Sequence, residues 1–142
     1  MCIRDRAYVI VQIIGAVVAA LVVKFLLADK IPAAASTMAN TSHALIAEGL
    51  GTFALAYIVL NVATAKGTTG NMFYGLSIGF TVLSMAYAFG AISGGAFNPA
   101  VAIGISLMNM ASWSNFWVYV LGCFGGAAVA ALVFRINNPE DN

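Results

Sequence analysis

The feature that most constrains this chain is a run of 68 residues, from Gly67 to Phe134, that contains no Asp, Glu, Lys or Arg. A soluble domain of this size buries only about two-thirds of the surface of its unfolded chain, so it could not hide such a run from water. In the whole sequence only 8% of the residues are charged, whereas soluble domains average about 25%. We therefore expect a protein that is embedded in a membrane.

Four segments are long and apolar enough to cross a bilayer as helices, which takes about 20 residues at a rise of about 1.5 Å each. They cover residues 7–28, 43–65, 71–92 and 115–134. Lys24 lies one turn from the end of the first segment, where its long side chain can reach the lipid headgroups. In the polar loop that follows, residues 29–42, Thr41 or Ser42 is placed to cap the second helix. The sequence predicts an all-α membrane protein.

The two ends of the chain differ in composition from its apolar body. Residues 1–6 are rich in basic side chains and change abruptly into an apolar run at Ala7. We expect either that this leader is not native or that the true start of the protein is missing. Residues 136–142 form a polar tail, which we expect to be disordered.

Residues 93–114, between the third and fourth segments, are too apolar for an aqueous loop. Within them, residues 98–110 can supply only about half of a 30 Å crossing. Irregular backbone is tolerated at membrane depth only where it is buried in protein or lines a watery cavity. We interpret this stretch as a re-entrant half-helix beside a polar pathway.

The centre of the stretch reads Ser-Gly-Gly-Ala-Phe-Asn-Pro-Ala-Val, residues 93–101. Gly94 and Gly95 permit a tight, extended approach, Asn98 is a preferred N-cap, and Pro99 suits the first helical position. A half-helix that begins here presents its free N–H groups and the positive end of its dipole near the middle of the membrane. Such an end repels protons and cations and leaves neutral solutes free to pass.

Polar groups around the predicted start of the half-helix can bind a passing solute. The Asn98 amide can donate a hydrogen bond to a water or hydroxyl oxygen, and the backbone carbonyls of Gly95, Ala96 and Phe97 can accept one. We expect a single-file, hydrogen-bonding track that has a built-in barrier to cations.

Several classes of function fit the sequence poorly. The net charge is +1 and there is no basic run, so nothing is available to neutralise nucleic-acid phosphates. Cys2 and Cys123 have no partner at metal-ligand or redox spacing. His43 is the only histidine, and Glu48 is the only carboxylate inside an apolar segment, so acid–base or nucleophilic catalysis lacks a second group. No cofactor or enzyme activity is implied.

Two further patterns favour a packed helical bundle in a bilayer. Glycines recur at the four-residue spacing that lets helix backbones approach closely. The pairs are Gly75 and Gly79, Gly90 and Gly94, and Gly122 and Gly126. At the start of the fourth segment, Trp113, Trp117 and Tyr119 cluster as in an interfacial aromatic belt.

The sequence Asn98-Pro99-Ala100, in a re-entrant stretch after a spanning helix, resembles the signature of the major intrinsic proteins, the aquaporins and aquaglyceroporins. The resemblance extends from about Tyr8 to Arg135. Its other elements are Tyr8, Gln12 and Gly15, similar to the family's third helix, residues 48–52, similar to its fourth, and residues 75–79, similar to its fifth. It implies an aquaporin-like helical bundle with six spanning helices in two inverted repeats, whose two half-helices meet end to end. It also implies a homotetramer with one pore per subunit.

On this resemblance, residues 7–135 form a partial channel domain with four of the six expected helices. Residues 7–28 correspond to the third helix of the first repeat, and residues 43–135 to the second repeat. In another alignment with the family, the motif corresponds to that of the first repeat, in which a valine such as Val101 is commoner after Asn-Pro-Ala. Residues 7–28 are then an extra helix. We favour the second-repeat register because the long linker at residues 29–42 and the polar tail fit it better. The chain is then a fragment, or an incompletely determined sequence.

The resemblance also implies roles for individual residues. Asn98, Ala100, Gly95, Ala96 and Phe97 are expected to line the pore. Glu48 is expected to accept hydrogen bonds from backbone N–H groups of the re-entrant loop, with Pro99 and Gly94 as further structural support. A proton relay through Glu48 is disfavoured because the apolar run supplies no titratable partner.

The expected selectivity filter departs from that of water-selective members. Those members carry an arginine three residues after the motif asparagine and a histidine twelve residues before it. Here these positions hold Val101 and Ala86. Loss of the cation and the ring implies a wider, less polar constriction, which favours small neutral solutes such as glycerol over strict water selectivity.

These expectations combine into a passive, multi-pass channel for water and small uncharged solutes, placed in a bacterial inner or plasma membrane. One alternative is a secondary transporter, in which broken helices also occur. Ion or proton coupling would call for intramembrane charges, which the run from Gly67 to Phe134 lacks. The other alternative is a membrane scaffold, or truncated subunit, that does not conduct.

Overall fold

A computed structural model describes the backbone of residues 2–141 and the side chains of residues 7–141. The described residues form five α-helices and contain no strand. The helices are α1 (Cys2–Leu26), α2 (Thr41–Val59), α3 (Tyr74–Ser93), α4 (Pro99–Leu107) and α5 (Phe116–Asn137). The predicted all-α class is confirmed. The expected leader at residues 1–6 includes Met1, which lies outside the described residues, as do the side chains of residues 2–6.

Four helical segments are long and apolar enough to cross a membrane, as predicted. They are Ala7–Leu26, Thr41–Thr64, Tyr74–Ser93 and Trp113–Asn137. The second includes a π-helical turn, Leu60–Thr64, that continues α2. The remaining helix, α4, has only nine residues and spans about 13 Å at 1.5 Å per residue. It therefore reaches about halfway through a bilayer core of about 30 Å.

The amino end of α2 differs from the prediction by one position. The N-cap is Asn40, whose Oδ1 accepts hydrogen bonds from the backbone N–H of Ser42 at 3.0 Å and of His43 at 3.1 Å. The prediction of Thr41 or Ser42 was wrong. Asn, Thr and Ser all rank high as N-caps, so three such residues in a row do not show which one comes first.

The expectation of a disordered tail was also wrong for its described part. Helix α5 continues to Asn137, and Pro139–Asp141 forms a 3₁₀ turn. Both carboxylate oxygens of Asp141 accept a hydrogen bond from the backbone N–H of Lys66, at 3.1 and 3.2 Å. The Lys66 ammonium donates to the Glu140 carbonyl. The tail is thus fixed to the connection between α2 and α3.

Helix α2 packs against α5 and α3, and α1 packs mainly against α4. At the α2–α5 crossing a methyl group on Gly122 would lie 2.8 Å from Glu48 Cβ, and one on Gly126 would overlap the Gly49 carbonyl oxygen. The predicted packing role is confirmed for this pair. Added methyl groups at the other paired helical glycines would meet nothing within 4 Å, so no close packing surrounds them here; these are Gly75, Gly79 and Gly90.

The short helix α4 ends beside the connection between α1 and α2, so we place its end on the membrane face where α1 ends and α2 begins. Beyond its carboxyl end, the Asn109 carbonyl accepts a hydrogen bond from the Ser36 N–H at 3.3 Å, and the Ser112 N–H donates to the Ser36 carbonyl at 2.9 Å. Ser36 belongs to the connection between α1 and α2. Lys24, near the end of α1, donates to the Leu107 carbonyl at the end of α4 at 3.3 Å.

Candidate functional site

The segment that leads into α4 has an unusual backbone. Gly94, Gly95 and Phe97 all have positive φ, at 95°, 63° and 47°. Gly94 ends α3 in the left-handed conformation, and its N–H donates to the Gly90 carbonyl at 2.9 Å. Glycine adopts this conformation without steric cost, but for Phe97 it costs about 1–2 kcal/mol. Contacts from other helices must therefore hold Phe97 in place.

Glu48 supplies the first of these contacts. Its carboxylate is fully buried and accepts hydrogen bonds from the backbone N–H of Ala96 at 3.0 Å and of Phe97 at 2.7 Å. It also accepts one from the Ser93 hydroxyl at 2.6 Å. Three donors on one carboxylate compensate for its loss of hydration. Glu48 thus fixes the chain between α3 and α4 to the middle of α2.

The Phe97 ring provides a second contact with α2. It is only 4% exposed, and it lies against Gly51, where an added methyl group would overlap the ring. Gly51 is three residues after Glu48, so both face the same side of α2. One helix face therefore holds the backbone of Phe97 through Glu48 and receives its ring at Gly51.

Tyr119 holds the beginning of the segment from the other side. Its hydroxyl donates to the Ser93 carbonyl at 2.6 Å, and the ring is 1% exposed. The expected place of Tyr119 in an aromatic belt was therefore wrong, whereas Trp113 and Trp117 are about half exposed. The Ser93 hydroxyl also accepts the N–H of Gly95 at 3.2 Å.

Asn98 is oriented by hydrogen bonds at both ends of its amide. Its Oδ1 accepts the N–H of Ala100 at 2.9 Å, and Pro99 occupies the first turn, as predicted for the start of α4. Its Nδ2 donates to Gln12 Oε1 on α1 at 3.3 Å. With one amide hydrogen directed at Gln12, the second can donate to a solute.

Gln12 is one of the residues that carry the family resemblance, but it was not predicted to lie at the site. The available signal was that it is the only amide side chain in the apolar run of α1. Polar side chains within membrane spans usually face the interior of the bundle or a watery cavity.

The other predicted site residues differ in their surroundings. Ala96 and Ala100 are buried, at 6% and 8% exposure, whereas Val101 on the first turn of α4 is 43% exposed. Ala86 on α3 is exposed and lies next to Gly95, with its Cα 3.6 Å from the position of a Cβ built on that glycine. The described residues contain no group of three metal-ligating side chains.

The chain thus combines a short helix that starts inside the membrane with a capped Asn-Pro-Ala sequence and a loop fixed by a buried glutamate. The family model described as "Major intrinsic protein" matches residues 1–134. The chain belongs to the major intrinsic protein family. The four helical segments that are long and apolar enough to cross a membrane agree with this membership.

Relatives in plants support this membership. The chain is 35% identical over 136 residues to a probable aquaporin TIP-type of Medicago truncatula and 38% identical over 138 residues to a probable aquaporin TIP1-2 of Oryza sativa. It is 34% identical over 135 residues to the aquaporin NIP1-4 of Oryza sativa. Each match covers 94% of this chain and 49–54% of the relative, so the chain spans about half the length of these proteins. They do not support the expectation of a bacterial membrane.

Proposed function

We propose that this major intrinsic protein contributes half of a passive channel for water and small uncharged solutes. Residues 7–28 would be the third helix of a first repeat, and residues 43–135 a complete second repeat. The observation that carries the proposal is the start of α4 at Asn98, about halfway through the bilayer, with its amide oriented by Ala100 and Gln12.

The start of α4 suits the passage of neutral molecules. The free N–H groups of its first turn and the positive end of its dipole favour an oxygen atom and oppose a cation or a proton. The remaining amide hydrogen of Asn98 would donate to a water or hydroxyl oxygen. Carbonyls of Gly95, Ala96 and Phe97 would accept from it. Glu48 uses its carboxylate on three donors of the chain itself, and this supports a structural role rather than proton transfer.

We further propose that Val101 and Ala86 form part of a wide, weakly polar filter that admits glycerol-like solutes. The exposure of both side chains and the position of Ala86 beside Gly95 support this assignment. An aliphatic or methyl side chain offers no hydrogen-bond donor, so discrimination here would depend on the width of the pore.

Assembly into a homotetramer is also part of the proposal. None of the residues of α3 from Tyr74 to Ile92 is buried within the described chain. Helix α3 packs against α2, and the open space around Gly75 and Gly79 is suited to packing against a further helix. Mass measurement of the purified protein in detergent should give four chains, and a single chain would contradict this part.

The channel activity is tested by reconstituting the chain into proteoliposomes and recording shrinkage and re-swelling under sucrose and glycerol gradients. For the chain extended by a first repeat we expect water and glycerol permeability above that of empty liposomes, with no dependence on a proton gradient. Permeability that follows a proton gradient would overturn the channel in favour of a transporter.

A second candidate is a subunit that does not conduct, and the match to only about half of each relative favours it. If residues 1–142 add no permeability but a chain extended by a first repeat does, residues 1–142 are half of a pore. If neither conducts, the proposed function is wrong.

The Asn98→Asp variant tests the barrier to cations. A carboxylate at the start of α4 cancels part of the positive end of the dipole, so we expect measurable cation leak with solute permeability retained. Asn98→Ser serves as the uncharged comparison. Equal cation exclusion by all three proteins would contradict the role given to Asn98.

A further inference from the structure

A cavity of about 440 Å³ lies at the end of the bundle where α1 ends, α4 ends and the α1–α2 connection begins. Its volume is within the range of about 300–1,000 Å³ that is common for ligand sites. The wall is mostly apolar, with Val23, Leu27, Ile31, Pro32, Met108 and Met110, and its two polar members are Lys30 and Ser36. The proposed channel function does not use this cavity, which is separated from Asn98 by the length of α4.

The position of the cavity favours a lipid as its occupant. Helix α1 packs mainly against α4 and exposes apolar side chains on its other sides, including Leu21 at 60% and Phe25 at 85%. In a bilayer, those of these side chains that no further helix covers meet acyl chains. Leu27 and Met110, at 44% and 55% exposure, leave the cavity open on this surface. An acyl chain can therefore enter it from the hydrocarbon region without crossing water.

The charges at the cavity indicate the headgroup. Lys30 lines the cavity directly. The Lys24 ammonium donates at 3.3 Å to the carbonyl of Leu107, the residue that precedes Met108 of the wall, and it has two more N–H donors. Asp29 is the only carboxylate in residues 27–40 and is not among the lining residues. Two ammonium groups beside an apolar cavity at the membrane surface suit an anionic headgroup.

We propose that this cavity binds one acyl chain of an anionic phospholipid, whose phosphate is held by Lys30 and Lys24. The bound lipid bridges the end of α1, the α1–α2 connection and the end of α4. By covering the apolar wall it stabilises the position of α4, whose carboxyl end would otherwise be attached to α1 through Lys24 and the helix contact at Ala16 and Gly104. The proposal does not depend on whether the chain conducts.

The test uses the purified chain in nanodiscs that contain equal amounts of phosphatidylglycerol and phosphatidylcholine. Native mass spectrometry after release counts the lipids that remain bound. We expect one retained phosphatidylglycerol per chain. Since each lysine near a membrane surface contributes about 1 kcal/mol, or about fivefold in affinity, Lys30→Ala should lower the preference for phosphatidylglycerol about fivefold. The double variant Lys24→Ala/Lys30→Ala should abolish it.

Two further variants separate the headgroup from the cavity. Val23→Phe fills the wall and should reduce retention of both lipids, with helix content by circular dichroism as a check on folding. Lys66→Ala removes a cation at the opposite end of the bundle and should leave retention unchanged. Equal lipid retention by wild type, Lys24→Ala/Lys30→Ala and Val23→Phe would overturn the proposal.

Other occupants give different results in the same experiment. If glycerol phosphate without acyl chains displaces the lipid at equal concentration, the site binds the phosphate alone and the acyl-chain assignment is wrong. If Val23→Phe instead lowers the number of chains per particle while lipid retention is unchanged, a second copy of the chain covers the cavity and the lipid assignment is wrong.

Discussion

At the scale of single residues, Glu48 shows how a charge can belong to a chain that otherwise excludes charge from its core. The carboxylate is fully buried, and its hydrogen bonds come from Ser93 at the end of α3 and from Ala96 and Phe97 between α3 and α4. Burying an ion without partners would be very costly, so these donors are a condition for its presence. The same hydrogen bonds from Glu48 hold the backbone turn that includes the strained Phe97.

Replacing Glu48 with Gln should destabilise the folded chain. The amide retains one acceptor oxygen, but its NH₂ group would face a donor, Ala96 N–H or Phe97 N–H, and leave it without an acceptor. An unsatisfied buried donor costs about 1–3 kcal/mol, so we expect a lower Tm in detergent. The control is Glu140→Gln on the exposed tail, whose contact with Lys66 uses the backbone carbonyl. If both variants melt at the wild-type temperature, the hydrogen bonds of Glu48 do not stabilise the loop.

The residue pattern by itself predicted roles that are local and missed those whose partners are remote; the remote role of Glu48 was predicted from the family resemblance. Asn98 and Pro99 could be placed at the start of α4 because capping and the missing proline N–H act within one turn. Tyr119 bonds to Ser93, 26 residues away, and Asn98 to Gln12, 86 residues away. A long apolar run indicates that a residue lies in a spanning helix, but it does not show which other helix the residue faces.

At the scale of helices, length separated α4 from the spanning helices before any contact was known. An apolar stretch of about nine to thirteen residues cannot cross the bilayer, and this holds whatever surrounds it. Helix packing was less predictable. Glycine pairs at the same spacing are closely packed at Gly122 and Gly126 but open at Gly75 and Gly79. The spacing shows that a helix surface permits close packing, but it does not show which helix packs there.

The contact between α2 and α5 can be tested with two adjacent glycines. A methyl group on Gly126 would overlap the Gly49 carbonyl and lie 2.9 Å from the Phe53 nitrogen, and backbone atoms cannot move away as a side chain can. We expect Gly126→Ala to destabilise the chain by about 1–3 kcal/mol in denaturant titrations. Gly125→Ala meets nothing within 4 Å and should be neutral or, through helix propensity, stabilising by up to about 1 kcal/mol. Equal effects of the two substitutions would mean that the helices do not cross at Gly126.

At the scale of the whole molecule, the return of α4 determines which connections share a membrane face. Ser36 forms backbone hydrogen bonds with Asn109 and Ser112, so the α1–α2 connection lies beside the chain that leads from α4 to α5. On the opposite face, Lys66 is joined to Asp141 after α5. The charge-free run could not by itself give this arrangement, because a short apolar stretch and a complete span differ little in composition.

Labelling with a membrane-impermeant maleimide distinguishes a returning α4 from one that crosses. In a chain with Cys2→Ser and Cys123→Ala, single cysteines are placed by Thr37→Cys, Thr69→Cys and Ser114→Cys, all at exposed positions. In vesicles of one orientation we expect the cysteines at positions 37 and 114 to react from the same side. The cysteine at position 69 should then react only after the membrane is permeabilised. Inverted vesicles should give the reverse pattern. If α4 crossed the bilayer, positions 114 and 69 would react together, because the chain would have passed through the membrane once more before α5.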